Sequence, residues 1–466
     1  MKILMAASEM APYARTGEMA ESVAELASHL AEAGNDVTVV LPFYRCVREN
    51  KALGARRTRL RFSVPVGPTS LSCDLWEAAG PSGVRLLFVE RDEFFDRTGL
   101  YGVDDRDYQD NAARFIYFSK CVTEIARQRL PEIVQLAGWQ SALAAVFIRD
   151  QGLPLVSVLL PMSLEFQGNF WSHDFGLTNL PSSYFSAGAL EFYGSMNFLK
   201  AGIIFADAVV LPGGRFMAEA QTAAHGCGLE MVLREHVNKL EGIAPGIREA
   251  DLPVLQTSAK ARAAAREAIF PGIGKGSSRV FVADAASTGG AGVGMLLETL
   301  DLMASRDFFL ALIGPVGDSD RFALEVAIRR HARRFVFLCE PAADSTAQLL
   351  AAGDFVLLPG PLDPGHSLFL PALRHGLVPV LEQCAGLHDI VRDFDPVTGA
   401  GNGLVYYRHA MSALADAVKR ALFLPVGEMD ILSRRSRDMD FSWKAGVARL
   451  EKLERRLLQG AGRVAA

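Results

Sequence analysis

The sequence lacks the features of a secreted, membrane-spanning or nucleic-acid-binding protein. Its six cysteines are scattered over 466 residues and form neither a Cys-x-x-Cys pair nor a zinc-ligand spacing. We therefore expect a reduced, cytoplasmic protein with no metal and no cofactor. No apolar run approaches the roughly 18 residues of a membrane span, and the short run after Met1-Lys2 predicts a buried strand rather than a signal peptide. Net charge is −5 without a long basic run, which argues against nucleic acid as a partner.

Short apolar strands alternate with amphipathic helices along the whole chain. Half of the residues are hydrophobic and 22% are charged, which is typical of a globular protein, and the length suits two domains. Continuous Val/Ile/Leu runs at 37–41 and 208–211 predict parallel strands buried on both faces. The pattern restarts after residue 245, with runs at 280–283 and 355–358. We predict an α/β protein of two doubly wound, Rossmann-like domains facing a cleft.

A combination of motifs spans nearly the whole chain. The blocks are Lys2-Ile3-Leu4 with Ala7-Ser8-Glu9, Phe94-Phe95-Asp96-Arg97 with Tyr101-Gly102, Phe198-Leu199-Lys200-Ala201-Gly202, and Leu373-Arg374-His375-Gly376. Together they resemble the bacterial glycogen synthase and starch synthase family. The resemblance implies the glycosyltransferase-B fold and transfer of glucose from ADP-glucose to an α-1,4-glucan.

The resemblance also implies a division of the chain into three parts. Residues 1–245 would form the acceptor-side domain, and residues 246–440 the domain that binds the nucleotide sugar. Residues 441–466 would form a last helix that crosses back to the first domain, because Phe441-Ser442-Trp443 is similar to the segment that opens this helix in the family.

On the donor side, the first loop retains only part of the family pattern. Arg15, Thr16 and Gly17 stand where the family has Lys-Thr-Gly, so the resemblance implies that these three residues contact the donor. Arg15 keeps the positive charge but replaces a point charge by a planar fork. Gly17 would keep a tight turn. Glu18 replaces a glycine and would bring a carboxylate toward an anionic donor.

The family's diphosphate clamp is missing from the second half. In the family, an arginine and a lysine after the first strand of the second domain hold the leaving diphosphate. The aligned residues here are Ala286 and Ala291, and no basic residue occurs between Arg279 and Arg306. A shift of the alignment by one residue therefore cannot restore the clamp.

Other residues of the second half remain as donor-side candidates. Gly289, Gly290 and Gly292 form either a weak anion cradle or only a tight strand-to-helix turn. Asp363 stands for the family's glutamate near the reacting sugar and is one methylene shorter. His366 is either a new acid or base, or a residue with local hydrogen bonds only.

On the sugar and acceptor side, the family's histidine has become Met162, in the segment Leu160-Pro161-Met162 before Gln167-Gly168. Of the block that follows an earlier strand, Trp139 and Gln140 survive. Glu9 is retained and would either face the acceptor or simply hold its loop by hydrogen bonds, and Glu21 replaces an acceptor-side aspartate. We assign these four residues, Glu9, Glu21, Trp139 and Gln140, to acceptor binding.

These departures predict a family member without an intact catalytic residue, since the two aligned positions, Met162 and Asp363, are degenerate. Our first hypothesis is an inactive or strongly impaired synthase with a glucan-binding or regulatory role in glycogen metabolism. Its partners would be an α-glucan and, weakly, a nucleotide sugar. The sequence does not indicate a protein partner. The alternatives are an active glycosyltransferase with an altered donor or acceptor, and a structural protein that reuses the fold.

Overall fold

The chain consists of two compact units. The computed structural model describes residues 1–104, 106–243, 246, 258–273, 278–285, 289–303, 306–314, 316, 318–339, 343–359, 368–383, 391–407, 410–439 and 443–461. One unit comprises Met1–Gly246 and Trp443–Ala466, and the other comprises Ile247–Ser442.

The first unit is built on strands that alternate with helices. Its strands are β1 (Lys2–Ala6), β2 (Asp36–Pro42), β3 (Arg56–Val66), β4 (Thr69–Ala79), β5 (Arg85–Glu90), β6 (Gly102–Val103), β7 (Arg106–Asp107), β8 (Ile133–Ala137), β9 (Val156–Leu160), β10 (Asn169–Trp171), β11 (Glu191–Phe192), β12 (Ser195–Asn197), β13 (Ala208–Leu211) and β14 (Leu240–Gly242). Its α-helices before the chain enters the second unit are α1 (Glu18–Glu32), α2 (Arg45–Glu49), α3 (Asp92–Phe95), α4 (Asn111–Arg129), α5 (Trp139–Asp150), α6 (Phe198–Phe205), α7 (Gly214–Glu219) and α8 (Glu230–Glu235). Short 3-10 helices lie at Lys51–Leu53, Pro81–Gly83, Ser172–Thr178, Ser182–Tyr184 and Val237–Lys239.

The main sheet of the first unit has the strand order β14-β13-β9-β8-β1-β2-β5-β4-β3. From β14 to β5 the neighbours are parallel, and these strands are buried because helices cover both faces. The strand order reverses between β1 and β8, which creates a topological switch point at their carboxyl ends. Parallel strands were predicted from the apolar runs, whereas the antiparallel hairpin β3–β4 was not.

The hairpin escaped the sequence analysis because its residues do not form an apolar run. In β3, exposed and half-buried residues alternate, and four arginines occur among its first six residues. Such alternation fits a strand with one face toward water. The hairpin extends the sheet edge away from the switch point.

The second unit is a six-stranded parallel sheet in the order β17-β16-β15-β18-β19-β20. The strands are β15 (Arg279–Asp284), β16 (Phe308–Ile313), β17 (Phe335–Leu338), β18 (Phe355–Leu358), β19 (Val378–Glu382) and β20 (Leu404–Tyr406). The helices are α9 (Ala259–Ile269), α10 (Gly289–Leu302), α11 (Asp318–Arg330), α12 (Ala343–Ala352), α13 (Phe369–Arg374), α14 (Met411–Leu422) and α15 (Val426–Asp438). Here the strand order reverses between β15 and β18.

The last helix, α16 (Trp443–Gly460), belongs to the first unit. Trp443 is buried and its ring stacks on His29 of α1, with 6.3 Å between ring centroids. Further along the helix, Glu451 accepts a hydrogen bond from Asn35 at 2.8 Å and Glu454 accepts one from Gln135 at 2.6 Å. The chain thus returns to the first unit after completing the second.

Candidate functional site

In the first unit, the candidate residues gather at the carboxyl ends of β1, β8 and β9. Glu9, Arg15, Thr16 and Gly17 lie in the connection from β1 to α1, and Glu21 lies on α1. Trp139 and Gln140 open α5 directly after β8, and Met162 follows β9. All of these strands are parallel, so their connections leave the same edge of the sheet, where doubly wound folds bind ligands.

Glu9 holds the loop in which it lies. Its side chain is buried; Oε1 accepts hydrogen bonds from Thr16 Oγ1 at 2.7 Å and from the Tyr101 hydroxyl at 2.6 Å, and Oε2 accepts one from the Thr16 backbone N–H. Burial raises the pKa of Tyr101 well above its usual value, so its hydroxyl remains a donor. Two roles were predicted for Glu9, facing the acceptor or holding its loop. Both carboxylate oxygens accept hydrogen bonds within the protein, which supports the second role.

Tyr101 was not among the residues to which the sequence analysis gave a role. Its hydroxyl also lies 2.7 Å from Ser8 Oγ, and it joins the loop after β1 to a segment more than ninety residues away. The Tyr101-Gly102 motif was visible in the sequence. Its connection to Glu9 was not, because contacts between distant segments leave no local pattern.

Arg15 and Glu21, which the sequence analysis assigned to the donor and acceptor sides, form an ion pair with each other. Arg15 Nε lies 2.8 Å from Glu21 Oε1, and the Arg15 side chain is 67% exposed. The cation that the family resemblance assigns to the donor is therefore partly neutralised by a carboxylate one helical turn into α1.

The structure corrects the expectation that Gly17 keeps a tight turn. Its backbone is extended, with φ −159° and ψ −167°, and a Cβ added there would meet no atom within 4 Å. Thr16 and Gly17 instead lead directly into α1, whose first residue is Glu18.

Trp139 lies inside an aromatic cluster. Its ring centroid is 4.9 Å from that of Phe115, 5.5 Å from that of Phe170 and 6.0 Å from that of Phe198. Gly168 has φ +65°, and a Cβ there would lie 2.4 Å from Trp139 Cε3, so only glycine fits beside the indole. The Gln-Gly pair that follows Met162 in sequence therefore has a packing function.

Gln140 is buried beside the indole, and its Oε1 has no hydrogen-bond partner among the described residues. The neighbouring Gly138 has φ +73°, and a Cβ there would lie 2.6 Å from this oxygen and 3.1 Å from Met19 Sδ. A buried acceptor without a donor is costly, and it lies at the edge where a ligand is expected.

Met162, which stands where the family has its histidine, has an unusual backbone conformation. Its φ is +65°, a left-handed conformation that costs a non-glycine residue roughly 1–2 kcal/mol. The half-buried side chain packs against the core of the unit. Its thioether is only a weak acceptor, so it supplies no hydrogen-bond donor to a sugar.

In the second unit, the glycine run opens a helix instead of forming a separate loop. Gly289, Gly290 and Gly292 lie in the first turn of α10. This helix follows β15, whose last residue, Asp284, is buried. Ala291 lies in the same turn. Ala286, Asp363 and His366 lie outside the described residues.

Four successive connections after strands of this sheet contain no lysine or arginine in their sequences. The segments that join β15, β16, β17 and β18 to the helices after them are residues 285–288, 314–317, 339–342 and 359–368, and their sequences contain neither lysine nor arginine. At the opposite edge, Arg279 begins β15, Arg306 precedes β16, and Arg333 and Arg334 precede β17. The connection after β19 contains Arg392, so the connections without lysine or arginine are the four that follow β15, β16, β17 and β18.

The described residues contain no helix with the length and apolarity that crossing a bilayer would demand. They also contain no group of three His, Cys, Asp or Glu side chains arranged to hold a metal ion.

Solved structures with the same architecture define the class of protein. The catalytic domain of starch synthase IV from Arabidopsis thaliana, a structure with bound ADP and acarbose, superposes with a TM-score of 0.76 at 22% identity, covering 98% of this chain and 99% of that one. Sucrose-phosphate synthase from Thermosynechococcus elongatus gives a TM-score of 0.57 at 14% identity, covering 98% of this chain and 99% of that one. The fold is that of the B-type glycosyltransferases, as predicted.

Sequence comparisons then show the family. The model of the starch synthase catalytic domain matches residues 2–235. The chain is 31% identical to a glycogen synthase of Opitutus terrae over 98% of this chain and 99% of that protein. It is also 31% identical to glycogen synthase 2 of Geobacter sulfurreducens, over 98% of each chain. The chain belongs to the glycogen synthase and starch synthase family, which confirms the resemblance seen in the sequence.

Proposed function

We propose that this member of a glycosyltransferase family transfers glucose from ADP-glucose poorly or not at all, and that it acts in glycogen metabolism by binding glucan or by regulation. The observation that supports this most directly is the absence of lysine and arginine from residues 285–288, 314–317, 339–342 and 359–368. These segments follow β15, β16, β17 and β18 at the edge where such a sheet receives its ligand.

The chemistry makes this absence consequential. When a nucleoside diphosphate leaves the sugar, negative charge grows on the diphosphate, and preorganised cations and N–H groups stabilise it. A hydrogen bond to a charged group contributes about 1.5–3 kcal/mol. Losing two such contacts would weaken ADP-glucose binding by about two to four powers of ten. The glycines at the start of α10 offer backbone N–H groups but no charge.

The first unit adds to the impairment. Arg15 carries the remaining charge at the family's lysine position, yet it is exposed and paired with Glu21. Met162 replaces the side chain that would donate a hydrogen bond to the sugar. Neither residue compensates for a missing clamp.

Binding of glucan remains the activity that the first unit supports. The backbone of the ligand edge is still organised: Met162 stays left-handed, Gly168 makes room for Trp139, and Glu9 orders the loop after β1. We place this activity in the cytoplasm, since the described cysteines Cys46, Cys73, Cys121, Cys227 and Cys339 form no disulfide.

The same ordered backbone is what favours the alternative, an active transferase with an altered donor or acceptor. Such an enzyme would need a donor whose leaving group carries less charge than a nucleoside diphosphate, because the carboxyl edge of the second sheet offers no lysine or arginine on four connections.

Incorporation of labelled glucose into glycogen tests the two functions against each other. We expect no incorporation from ADP-glucose above that of a heat-treated sample, because the connections after β15, β16, β17 and β18 supply no lysine or arginine to the growing charge of the leaving group. An active glycogen synthase relative serves as the positive control. Substantial turnover of ADP-glucose would overturn the proposal, and turnover of another sugar donor alone would establish the alternative.

A further inference from the structure

A small sheet of the first unit presents aromatic rings to solvent. Strands β10, β12 and β11 are antiparallel neighbours in that order. In the register, Trp171 lies opposite Ser195, and Ser195 lies opposite Phe192. Cross-strand partners share a face of a sheet, so these three side chains form one row. Trp171 is 67% exposed.

The opposite face of the same sheet is buried at Met196 and half-buried at Phe170 and Glu191. Its row contains Phe170, Met196 and Glu191, and the Phe170 ring packs against Trp139. The outer row is therefore separated from the Trp139 cluster by the sheet itself. Because Glu9, Trp139 and Gln140 make internal contacts or are buried, the outer row is the more accessible aromatic surface.

Tyr193 adds a second exposed ring in a conformation that tyrosine rarely adopts. Tyr193 and Gly194 form the two-residue turn between β11 and β12, with φ of +48° and +81°. Hairpin turns with two positive φ angles strongly prefer Asn-Gly or Asp-Gly. Tyr193 is nevertheless 86% exposed, so the strain is not offset by burial of its ring. Strain of this kind is retained where function requires it.

Neighbouring groups hold the two rings in place. The Trp171 ring lies against His173 with 4.0 Å between centroids, and the Tyr193 ring lies edge-on to Phe192 at 4.7 Å. The turn is fixed by a hydrogen bond of 2.8 Å from Gly194 N–H to Glu191 Oε1. We call the four rings of Trp171, His173, Phe192 and Tyr193 the aromatic platform.

The chemistry of the platform selects a neutral, hydroxylated ligand. Tryptophan and tyrosine combine an apolar ring face with a polar N–H or O–H, which suits the apolar C–H faces and hydroxyl edges of a pyranose. Asp174 and Glu191 adjoin platform residues in the chain. The Lys200 ammonium lies 5.6 Å from the Phe192 ring, but it is buried and donates hydrogen bonds to the carbonyl oxygens of Ala187 and Glu191. The platform therefore offers no exposed cation of its own to a phosphate-bearing polymer or an anionic membrane. An exposed aromatic patch with a polar rim marks an interaction site.

We propose that the aromatic platform is a surface site for an α-1,4-glucan chain, whose sugar rings stack on Trp171 and Tyr193. This inference rests on the proposed glucan-binding role and gives that role a location distinct from the ligand edge of the main sheet. A glucan held there would keep the protein on a glycogen particle without requiring catalysis.

The experiment measures binding of maltoheptaose by calorimetry and retardation of the full-length protein in native gels that contain glycogen. The variant W171T/Y193N removes both rings, while threonine suits a strand and asparagine suits the left-handed turn. We expect a loss of affinity of about tenfold or more, since each stacked ring contributes appreciably. Tyr407→Ala, which removes another exposed ring in the second unit, should leave binding unchanged.

The outcomes separate this inference from the function it rests on. If the parent protein binds glucan and the double variant binds equally well, the platform is not the site, although a glucan-binding role survives. If the parent protein binds neither maltoheptaose nor glycogen, both the platform and the glucan-binding role in the proposed function are wrong. A fluorescence change on maltoheptaose addition that is absent in Trp171→Thr would support the platform independently.

Discussion

The main sheets of the two units each have a carboxyl edge of parallel strands, but the two edges differ in the polar residues that they carry. At the carboxyl edge of the first sheet, Glu9, Tyr101 and Thr16 form a hydrogen-bonded loop and Trp139 packs in an aromatic cluster. At the corresponding edge of the second sheet, four connections lack lysine and arginine. Apolar strands specify both scaffolds equally well, whereas the chemistry depends on loop residues that change independently.

The largest effect should come from rebuilding the chemistry at both edges together. We expect that A286R/A291K alone restores little glucose incorporation, and that adding Met162→His and Glu18→Gly raises it by about 100-fold or more. Residues that act as a unit are strongly non-additive, and a missing donor to the transition state costs on the order of 10²–10³ in rate. The measurement is incorporation of labelled glucose from ADP-glucose into glycogen.

Charge alone is the alternative explanation for any gain. A263R/A264K adds the same two charges on exposed positions of α9 and should give no activity. Full activity in the A286R/A291K variant would show that Met162 and Glu18 matter less than we propose.

A substitution of Glu9 should break the ordered edge of the first sheet. Glu9→Ala leaves the Thr16 backbone N–H, the Thr16 hydroxyl and the Tyr101 hydroxyl without their acceptor. Buried donors that lose a charged acceptor cost about 1.5–3 kcal/mol each at most, and we expect a total loss of about 3 kcal/mol in the free energy of unfolding. Urea denaturation monitored by circular dichroism provides the measurement, and a change below about 1 kcal/mol would contradict this role.

The first unit should also respond to pH through its last helix. Glu454 is buried, and burial raises its pKa to about 8. Among the described residues, neither its Oε2 nor Gln135 Oε1 has a hydrogen-bond partner. A protonated Glu454 could donate from Oε2 to Gln135 Oε1, which would add a second hydrogen bond to the one it accepts from Gln135. The groups that act on it are Glu451, Arg455 and the N-terminal ammonium.

The direction of the pH effect follows from the raised pKa of Glu454 in the folded protein, because a glutamate in the unfolded chain has a pKa of about 4.3. The contribution of Glu454 to the free energy of unfolding is fully present below about pH 4. It decreases by roughly 1.4 kcal/mol per pH unit as the pH rises toward about 8. Glu454→Gln keeps both hydrogen bonds without ionising, so hydrogen exchange of 443–460 should lose this pH dependence relative to the parent. Glu451→Gln, one turn away, should retain it; equal profiles for parent and Glu454→Gln would refute the assignment.

The smallest effect should come from removing the exposed ion pair between Arg15 and Glu21. Arg15→Ala removes an ion pair whose arginine is largely in water, and such pairs contribute about 0–1 kcal/mol. We expect the free energy of unfolding to change by less than this and ADP-glucose binding to remain weak. A strong further loss of nucleotide-sugar binding in a competition assay would show that Arg15 holds the donor after all.

The sequence was informative where structure is local and apolar. The run at 208–211 is strand β13 as predicted, and the run at 355–358 is β18, because continuous Val/Ile/Leu segments have few alternatives to a buried parallel strand. The absence of a clamp near Ala291 was also readable from residue types alone.

Features set by three-dimensional contacts were not predictable from the sequence. The Glu9–Tyr101 bond joins residues far apart in the chain, the Arg15–Glu21 pair joins residues we had assigned to different sides, and the extended backbone of Gly17 contradicts the turn expected from its residue type. Tyr193 was overlooked because its turn strain appears only in the backbone angles.

Calorimetric titration of the unmodified protein with ADP-glucose tests the central claim most directly. With no lysine or arginine on four connections at the carboxyl edge of the second sheet, we predict a dissociation constant of roughly millimolar or weaker. A starch or glycogen synthase relative titrated under the same conditions supplies the reference. A dissociation constant in the low micromolar range would contradict the account, because it would require a cationic donor site that these four connections do not supply.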